Sequence, residues 1–406
     1  MGVLRAASVL GLVGQSCAFT FLSIGDWGDP AAKQLNPLMG KETPEFVLAI
    51  GDNFYSKGVT GVTDPQWDTK FEKTFTAPSL NVSWYVTSGN HDYYGGKAGI
   101  NAEIAYTKHS NRWQFPDYYH SKDLTAKDGT TLQIVAVDTW RLNGGDTFVK
   151  FDPKTERMAL HSKALLDEKL ASGAMNQATY DTLLTNFDEE DPENPIPWCG
   201  GGRAKDGPPC EGDQEQLDWI EKTLMGSDAD WKIVMGHFPI YSCTRGEHGE
   251  TPKLIADLDP ILHKAKADMY FNGHDHILQH TMREGVHYFG SGAGAQKHVG
   301  VNSNYTGLLG VHAGHYGFML HEGNKTSMTT TFVIDDGSKP YTYTINKGGA
   351  SGAVSQSGAA TRGGQAPAER LASRNDGSSP PGVGAAALRG DRATIPTAKG
   401  LRSKQH

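Results

Sequence analysis

The sequence predicts an α/β fold whose functional residues gather at the ends of strands. Three observations predict it. Short apolar runs rich in β-branched and aromatic residues recur along the chain, as in buried strands. Helical patterns lie between some of these runs, which indicates alternating strands and helices. The runs stop at a small residue and a polar cluster, so the clusters follow the strands. In open α/β sheets, ligand sites collect at the carboxyl ends of strands.

The elements follow in chain order. The chain has 406 residues, with 37% hydrophobic and 21% charged, the composition of a soluble globule. It opens MGVLRAASVLGLVGQSCAF, with a positive Arg5, an apolar core from Ala6 to Gly14, and small residues up to Ala18. That is the pattern of a secretory signal peptide over residues 1–18. It is too short for a stable membrane span. A buried N-terminal helix is disfavoured because strand-like FTFLSIGD begins at once. One catalytic domain is expected over 19–346. Its expected strands lie in FTFLSIGDWGDP, EFVLAIGDNFY, WYVTSGNHDYY, TLQIVAVDTW, DWKIVMGHFPIYS, DMYFNGHDHILQH and VHYFGSGAG. DQEQLDWIEKTLM reads as a helix with Asp213 as N-cap, and PKLIADLDPILHKA as another. The stretch GHYGFMLHEGNKTSMTTTFVIDDGSKPYTYTI reads as an antiparallel meander. Residues from about 152 to 210 are mostly polar and read as a surface insertion.

Residues 347–406 are rich in Gly, Ala, Ser and Arg and poor in large apolar side chains. Such a segment cannot bury enough surface to offset its ordering entropy, so a disordered tail is expected. The formal charge is -8, which argues against a nucleic-acid partner. The tail carries nine Lys/Arg and three Asp/Glu, leaving the rest more acidic than the total suggests. Four cysteines suit an exported protein that is not disulfide-rich. Cys199 and Cys210 flank CGGGRAKDGPPC and are expected to pair, leaving Cys243 a lone thiol. Sequons at Asn81, Asn304 and Asn324 accord with export.

The ligand-capable residues at the strand ends are Asp26, Asp52, Tyr55, Asn90, His91, His237, His274 and His276. Taken singly, each reads as a turn aspartate or a satisfied histidine; beside them, Asp275 within GHDH reads as the lesser residue and His280 as sheet surface. Five Gly-led clusters, each at a strand end and each with a metal-type ligand, point instead to a shared site. Carboxylate, amide oxygen, imidazole and phenolate suit hard or borderline ions, and without cysteine a structural zinc site is disfavoured. The inventory exceeds one ion. Two ions need a shared ligand, which a carboxylate can supply.

The ordered set GDWG, GDNFY, GNHD, GHFP and GHDH resembles the calcineurin-like metallophosphoesterases. Tyr55, three residues after Asp52, narrows the resemblance to purple acid phosphatases, and length and motif spacing to their small tartrate-resistant type. The likeness covers about residues 20–345. It implies a four-layer α/β/β/α sandwich with mixed sheets and a metal site at the carboxyl ends of strands. It implies Fe(III) on Asp26, Asp52, Tyr55 and His276, with Asp52 bridging. A second ion, Fe(II), Zn(II) or Mn(II), would take Asn90, His237 and His274. His91 matches a histidine that contacts substrate, and His248 in GEHG matches an outer histidine that can act as general acid. The chain departs from the family in its longer insertion, its basic tail, and Leu254 where half of a disulfide is expected.

The function so implied is acid hydrolysis of phosphate monoesters by a metal-activated hydroxide. The expected partner is a phosphate-ester substrate, acted on by a monomer without nucleic acid or a stable membrane anchor, in the secretory pathway or the lysosome or vacuole. A related phosphodiesterase or nucleotide phosphatase is the nearest alternative. An exported binding module that has lost catalysis is the third, and it should have lost ligands.

Overall fold

This computed structural model describes residues 17–143, 149–152, 157–160, 211–245 and 249–347; for Lys97 and residues 149–152, 157–160 and 211–213 only the backbone is described. Most of the signal peptide and of the insertion, the Cys199–Cys210 pairing, His248, and the tail beyond Lys347 lie outside the described residues.

The described strands are β1 (Phe19–Ile24), β2 (Phe46–Ile50), β3 (Ser83–Thr87), β4 (Trp113–Gln114), β5 (His120–Thr125), β6 (Thr131–Ala136), β7 (Val149–Asp152), β8 (Arg157–Leu160), β9 (Trp231–Met235), β10 (Met269–Asn272), β11 (Leu278–Arg283), β12 (Val286–Ser291), β13 (Leu308–His312), β14 (Gly317–Gly323), β15 (Ser327–Ile334) and β16 (Tyr341–Asn346). Two seven-stranded mixed sheets result. The first runs β16-β15-β14-β1-β2-β3-β4, with β1 to β4 parallel and the final meander added antiparallel beside β1. The second runs β13-β11-β12-β10-β9-β6-β5, parallel through β12, β10, β9 and β6 and antiparallel at its edges. Strands β7 and β8 pair as a separate antiparallel hairpin.

The burial patterns follow from these positions. Central parallel strands are covered on both faces and read as continuous apolar runs. Accordingly every residue of β2 (FVLAI) and β10 (MYFN) is buried. The edge strand β16 instead alternates buried and partly exposed residues. Successive side chains of a strand enter opposite layers. Thus Phe21 packs between the sheets with Leu48, Ile134, Ile233, Phe271 and Phe289. Its neighbour Leu22 faces outward to Trp27, Leu35, Met39, Phe71 and Trp84. On the other outer face, Val135, Val234 and Tyr270 meet Leu217, Ile220 and Leu258 from helices. The layers are therefore helix, sheet, sheet, helix, as the family resemblance implied.

Three sequence expectations are corrected. The helix expected to be capped by Asp213 begins earlier and spans Glu211–Met225, which puts Asp213 inside its first turn. PKLIADLDPILHKA is two short helices, Pro252–Asp257 and Asp259–Lys264. Pro260 lacks the N–H that a continuous helix would need there. His280 was expected on the sheet surface, but it is fully buried. Its Nε2 lies 2.8 Å from His287 Nδ1, its Nδ1 2.8 Å from the Tyr341 hydroxyl, and its ring stacks on Phe289 at 4.1 Å. Strand β11 sits between β12 and β13, and the meander strand β16 closes over its inner face. That covering strand lies some sixty residues onward, beyond the reach of local pattern.

Candidate metal centre

Five strands deliver the site. Gly25-Asp26 follows β1, Gly51-Asp52 follows β2, and Ser88-Gly89-Asn90 follows β3, all in the first sheet. Gly236-His237 follows β9 and Gly273-His274 follows β10, both in the second. The centre therefore straddles the carboxyl ends of both sheets. The glycines are needed because backbone and ligand crowd together. A Cβ on Gly89 would fall 2.2 Å from Asp52 Oδ1, and one on Gly273 would fall 2.5 Å from Asp26 Oδ2. Asp26, Asp52 and His274 themselves hold positive φ, at 58°, 52° and 66°. For a residue with a side chain this costs about 1–2 kcal/mol. Surrounding contacts fix the conformation, and it aims each ligand inward.

The seven expected ligands converge. Asn90 Oδ1 lies 3.1 Å from His237 Nε2 and 3.0 Å from His274 Nδ1. His237 Nε2 lies 3.3 Å from Asp52 Oδ1. On the other side of Asp52, the Tyr55 hydroxyl donates to Asp26 Oδ1 at 3.0 Å and lies 3.4 Å from His276 Nε2. His276 Nε2 is also 3.4 Å from Asp26 Oδ1. Ligand atoms of Asp26, Asp52 and His237 lie within 4.8 Å of one another, and all three residues are buried. Two pockets of donors result, joined by Asp52. His91, expected against substrate, borders both: its backbone N–H donates to Asp52 Oδ1 at 2.9 Å and its ring packs 4.4 Å from that of Tyr55.

The electrostatics suit cations. Asp26 and Asp52 are buried, and their ion-pair partners among the described residues are all histidines: His91, His237 and His276. Burial opposes the charge on Asp52, but the His237 and His91 charges outweigh it and hold the carboxyl far below the usual range. Burial, Asp26 and Asp52 all push the Tyr55 phenol well up, so only a strongly charged cation would turn it to phenolate. His237 Nδ1 lies 2.9 Å from the Ile50 carbonyl, which can only accept, so Nδ1 carries the hydrogen. Nε2 then faces Asp52 and Asn90. A metal-binding histidine is held in this way, its second nitrogen donating to a backbone carbonyl. The residues present fit a pair of hard or borderline ions.

The family model described as Calcineurin-like phosphoesterase matches residues 19–278. The chain is 30% identical over 349 residues to "Tartrate-resistant acid phosphatase type 5" of Homo sapiens, covering 80% of this chain and 90% of that one. The chain belongs to the calcineurin-like phosphoesterase family, in its purple acid phosphatase branch. It is also 30% identical over 289 residues to "Purple acid phosphatase 7" of Arabidopsis thaliana, covering 69% of this chain and 71% of that one. The fold is shared with a purple acid phosphatase from yellow lupin seeds at a TM-score of 0.51 and 16% identity, covering 82% of this chain and 54% of that one. It is shared too with GAP50, the anchor in the inner membrane complex of Plasmodium, at a TM-score of 0.58 and 20% identity, covering 82% of this chain and 89% of that one.

In this purple acid phosphatase two buried carboxylates outside the expected ligand set hold the segments that carry it. Asp92, two residues after Asn90, is fully buried and accepts from Asn53 N at 2.9 Å, Phe54 N at 3.0 Å and Gly89 N at 2.7 Å. It thereby ties the loop bearing Asp52 and Tyr55 to the loop bearing Asn90. An acid three residues after the residue that opens a short helix is a capping signature, and it was there to be read in GNHD. Asp275 reads from the sequence as the lesser residue of GHDH, and the structure gives it a larger part. It is buried and accepts from the hydroxyls of Ser242 and of Thr244, the latter at 2.7 Å, and from Gly249 N at 3.3 Å. It fixes the His274–His276 turn to the segment after β9. No local signal reveals that partnership. Among the described residues, Cys17 and Cys243 are free and no helix is long and apolar enough to cross a membrane.

Proposed function

We propose that this purple acid phosphatase hydrolyses phosphate monoesters at a binuclear Fe(III)–M(II) centre, with M being Fe(II), Zn(II) or Mn(II). The single observation that carries the reading is the pair of donor pockets sharing Asp52. Asp26, Tyr55 and His276 would hold the ferric ion, and Asn90, His237 and His274 the divalent one. When bound, such a pair supplies Lewis acidity, an activated water nucleophile and a clamp for phosphoryl oxygens. The chain's own residues do the rest. Asp52 offers one carboxylate to both pockets. His91 Nδ1 donates to the Ser56 carbonyl at 2.7 Å, which leaves Nε2 turned to the site, 3.9 Å from Asp52 Oδ2. A protonated His91 is then placed to balance phosphate charge and to pass a proton to the leaving oxygen. His248 is a second candidate for that proton, and the Phe238 ring packs against His274 at 4.5 Å and forms an apolar wall there.

Residues 1–18 support export through the secretory pathway, and we expect a monomer. The complete ligand set disfavours a non-catalytic module, although GAP50, which shares the fold, is an anchor in the inner membrane complex of Plasmodium. The test is a visible spectrum with metal analysis of wild type and Tyr55→Phe, alongside rates on nitrophenyl phosphate and bis-nitrophenyl phosphate. A broad phenolate-to-iron band that vanishes in the variant is expected, with the monoester the faster substrate. An active protein without iron or colour would overturn the ferric assignment, and a faster diester would favour the phosphodiesterase reading.

A further inference from the structure

We propose that Tyr94 is a positioning residue for the divalent ion, acting through the Asn90 carboxamide. The inference rests on the metal-centre reading above. Asn90 is almost fully buried, and its two amide atoms have different duties. Oδ1 faces the two imidazoles, 3.1 Å from His237 Nε2 and 3.0 Å from His274 Nδ1. Nδ2 points the other way and donates to the Tyr94 hydroxyl at 2.8 Å. An amide oxygen can ligate a metal and an amide NH2 cannot, so the orientation of this plane decides whether Asn90 is a ligand at all. The terminal torsion of such an amide is broad and roughly two-fold, so the orientation with Oδ1 and Nδ2 exchanged is the alternative a partner must select against.

Tyr94 restricts that rotation from a place of its own. It follows the helical turn Asn90–Tyr93, one turn on from Asn90, so the two side chains share a face. Its ring is wedged between His91, at 4.8 Å, and Trp140, at 5.9 Å, so the hydroxyl is set by packing. A rigid phenol whose oxygen meets Nδ2 makes the inward Oδ1 orientation the prepared one before an ion arrives. Nothing in the motif GNHD specifies it. Partners that orient a metal ligand typically contribute 10–100-fold to metal affinity.

The test uses full-length protein stripped of its labile divalent ion, titrated with Zn(II) or Mn(II) by calorimetry, with the visible band followed in parallel. Tyr94→Phe is expected to bind the second ion about 10–100-fold more weakly. Its phenolate-to-iron band should stay unchanged, since Tyr55 is not touched, and its rate should recover at high metal concentration. In an Asn90→Ala background the same substitution should leave affinity unchanged, because there is no amide to orient. This comparison keeps the idea testable even if Tyr94→Phe lowers stability. If wild type and Tyr94→Phe bind the second ion alike, or if the substitution weakens it equally without Asn90, the role of Tyr94 is wrong. If the wild-type protein takes up no second ion, the binuclear reading itself falls, and this role with it.

Discussion

Buried histidines between the sheets should make this acid-type enzyme lose stability as the pH falls, and His321 allows the effect to be isolated. His321 lies on β14, fully buried, 3.0 Å from Ser23 Oγ and 2.9 Å from Thr330 Oγ1, with its ring 4.4 Å from Phe21. Burial holds its pKa down to about 3. In the unfolded chain a histidine titrates near 6.5, so below that pH the unfolded state binds a proton that the folded state refuses. The stabilising effect of the neutral ring is therefore complete above about pH 6.5 and lost as the pH falls toward 3. Between pH 7 and pH 5, His321 alone accounts for a loss of about 2 kcal/mol. His287, brought down to about 4 by burial, adds a similar loss. His280, pushed well down by burial and by His287 and His321, adds another in the same direction. Urea unfolding at pH 7, 6 and 5 measures the slope. His321→Gln keeps an amide for the two hydroxyls but removes the titrating ring. Its stability at pH 7 should fall, while its loss between pH 7 and pH 5 should be about 2 kcal/mol smaller than that of wild type. Equal pH slopes for the two proteins would refute the reasoning.

Two further outcomes follow from the geometry of the site. Asp92→Asn replaces an oxygen with an NH2, which cannot accept from the N–H groups of Asn53, Phe54 and Gly89 that meet the two oxygens; a loss of about 1–3 kcal/mol in stability is expected. Metal retained after gel filtration should fall with it, because the loops of Asp52 and Asn90 lose their tie. Gly89→Ala would place a Cβ 2.2 Å from Asp52 Oδ1 and 2.4 Å from Asp52 N, backbone that cannot move cheaply. Displacing the Asp52 carboxylate by about 1 Å should lower kcat on the order of 10²-fold, and the strained backbone should lower the melting temperature as well; unchanged kcat would refute the crowding argument.

The difference between what was legible in the sequence and what was not is one of range. Strands such as FVLAI and MYFN declare themselves, because side-chain alternation and β-branching act between neighbouring residues. Five of the seven expected ligands declare themselves too, because Asp26, Asp52, Asn90, His237 and His274 each follow a glycine at a strand end; Tyr55 and His276 lie two or three positions further on in the same motifs. Helix boundaries were less legible. Asp213 caps as well from a sequence standpoint as it sits in a first turn, and Pro260 breaks a pattern that apolar spacing alone continues. The burial of His280 depends on Tyr341, and the hold on Asp275 on Ser242, Thr244 and Gly249; these are contacts between segments far apart in the chain.

The sequence by itself determined the candidate donors, their order along the chain and the kind of ion they suit, because the type of a ligand atom is a property of its residue. Only the tertiary structure decided the arrangement of those donors. The two sheets bring five strand ends together, share Asp52 between two pockets, and set the tautomer of His237 through the Ile50 carbonyl. Orientation comes from partners such as Asp92 and Tyr94. Distances and angles between groups exist only once the chain has packed, and a metal centre is selective in those.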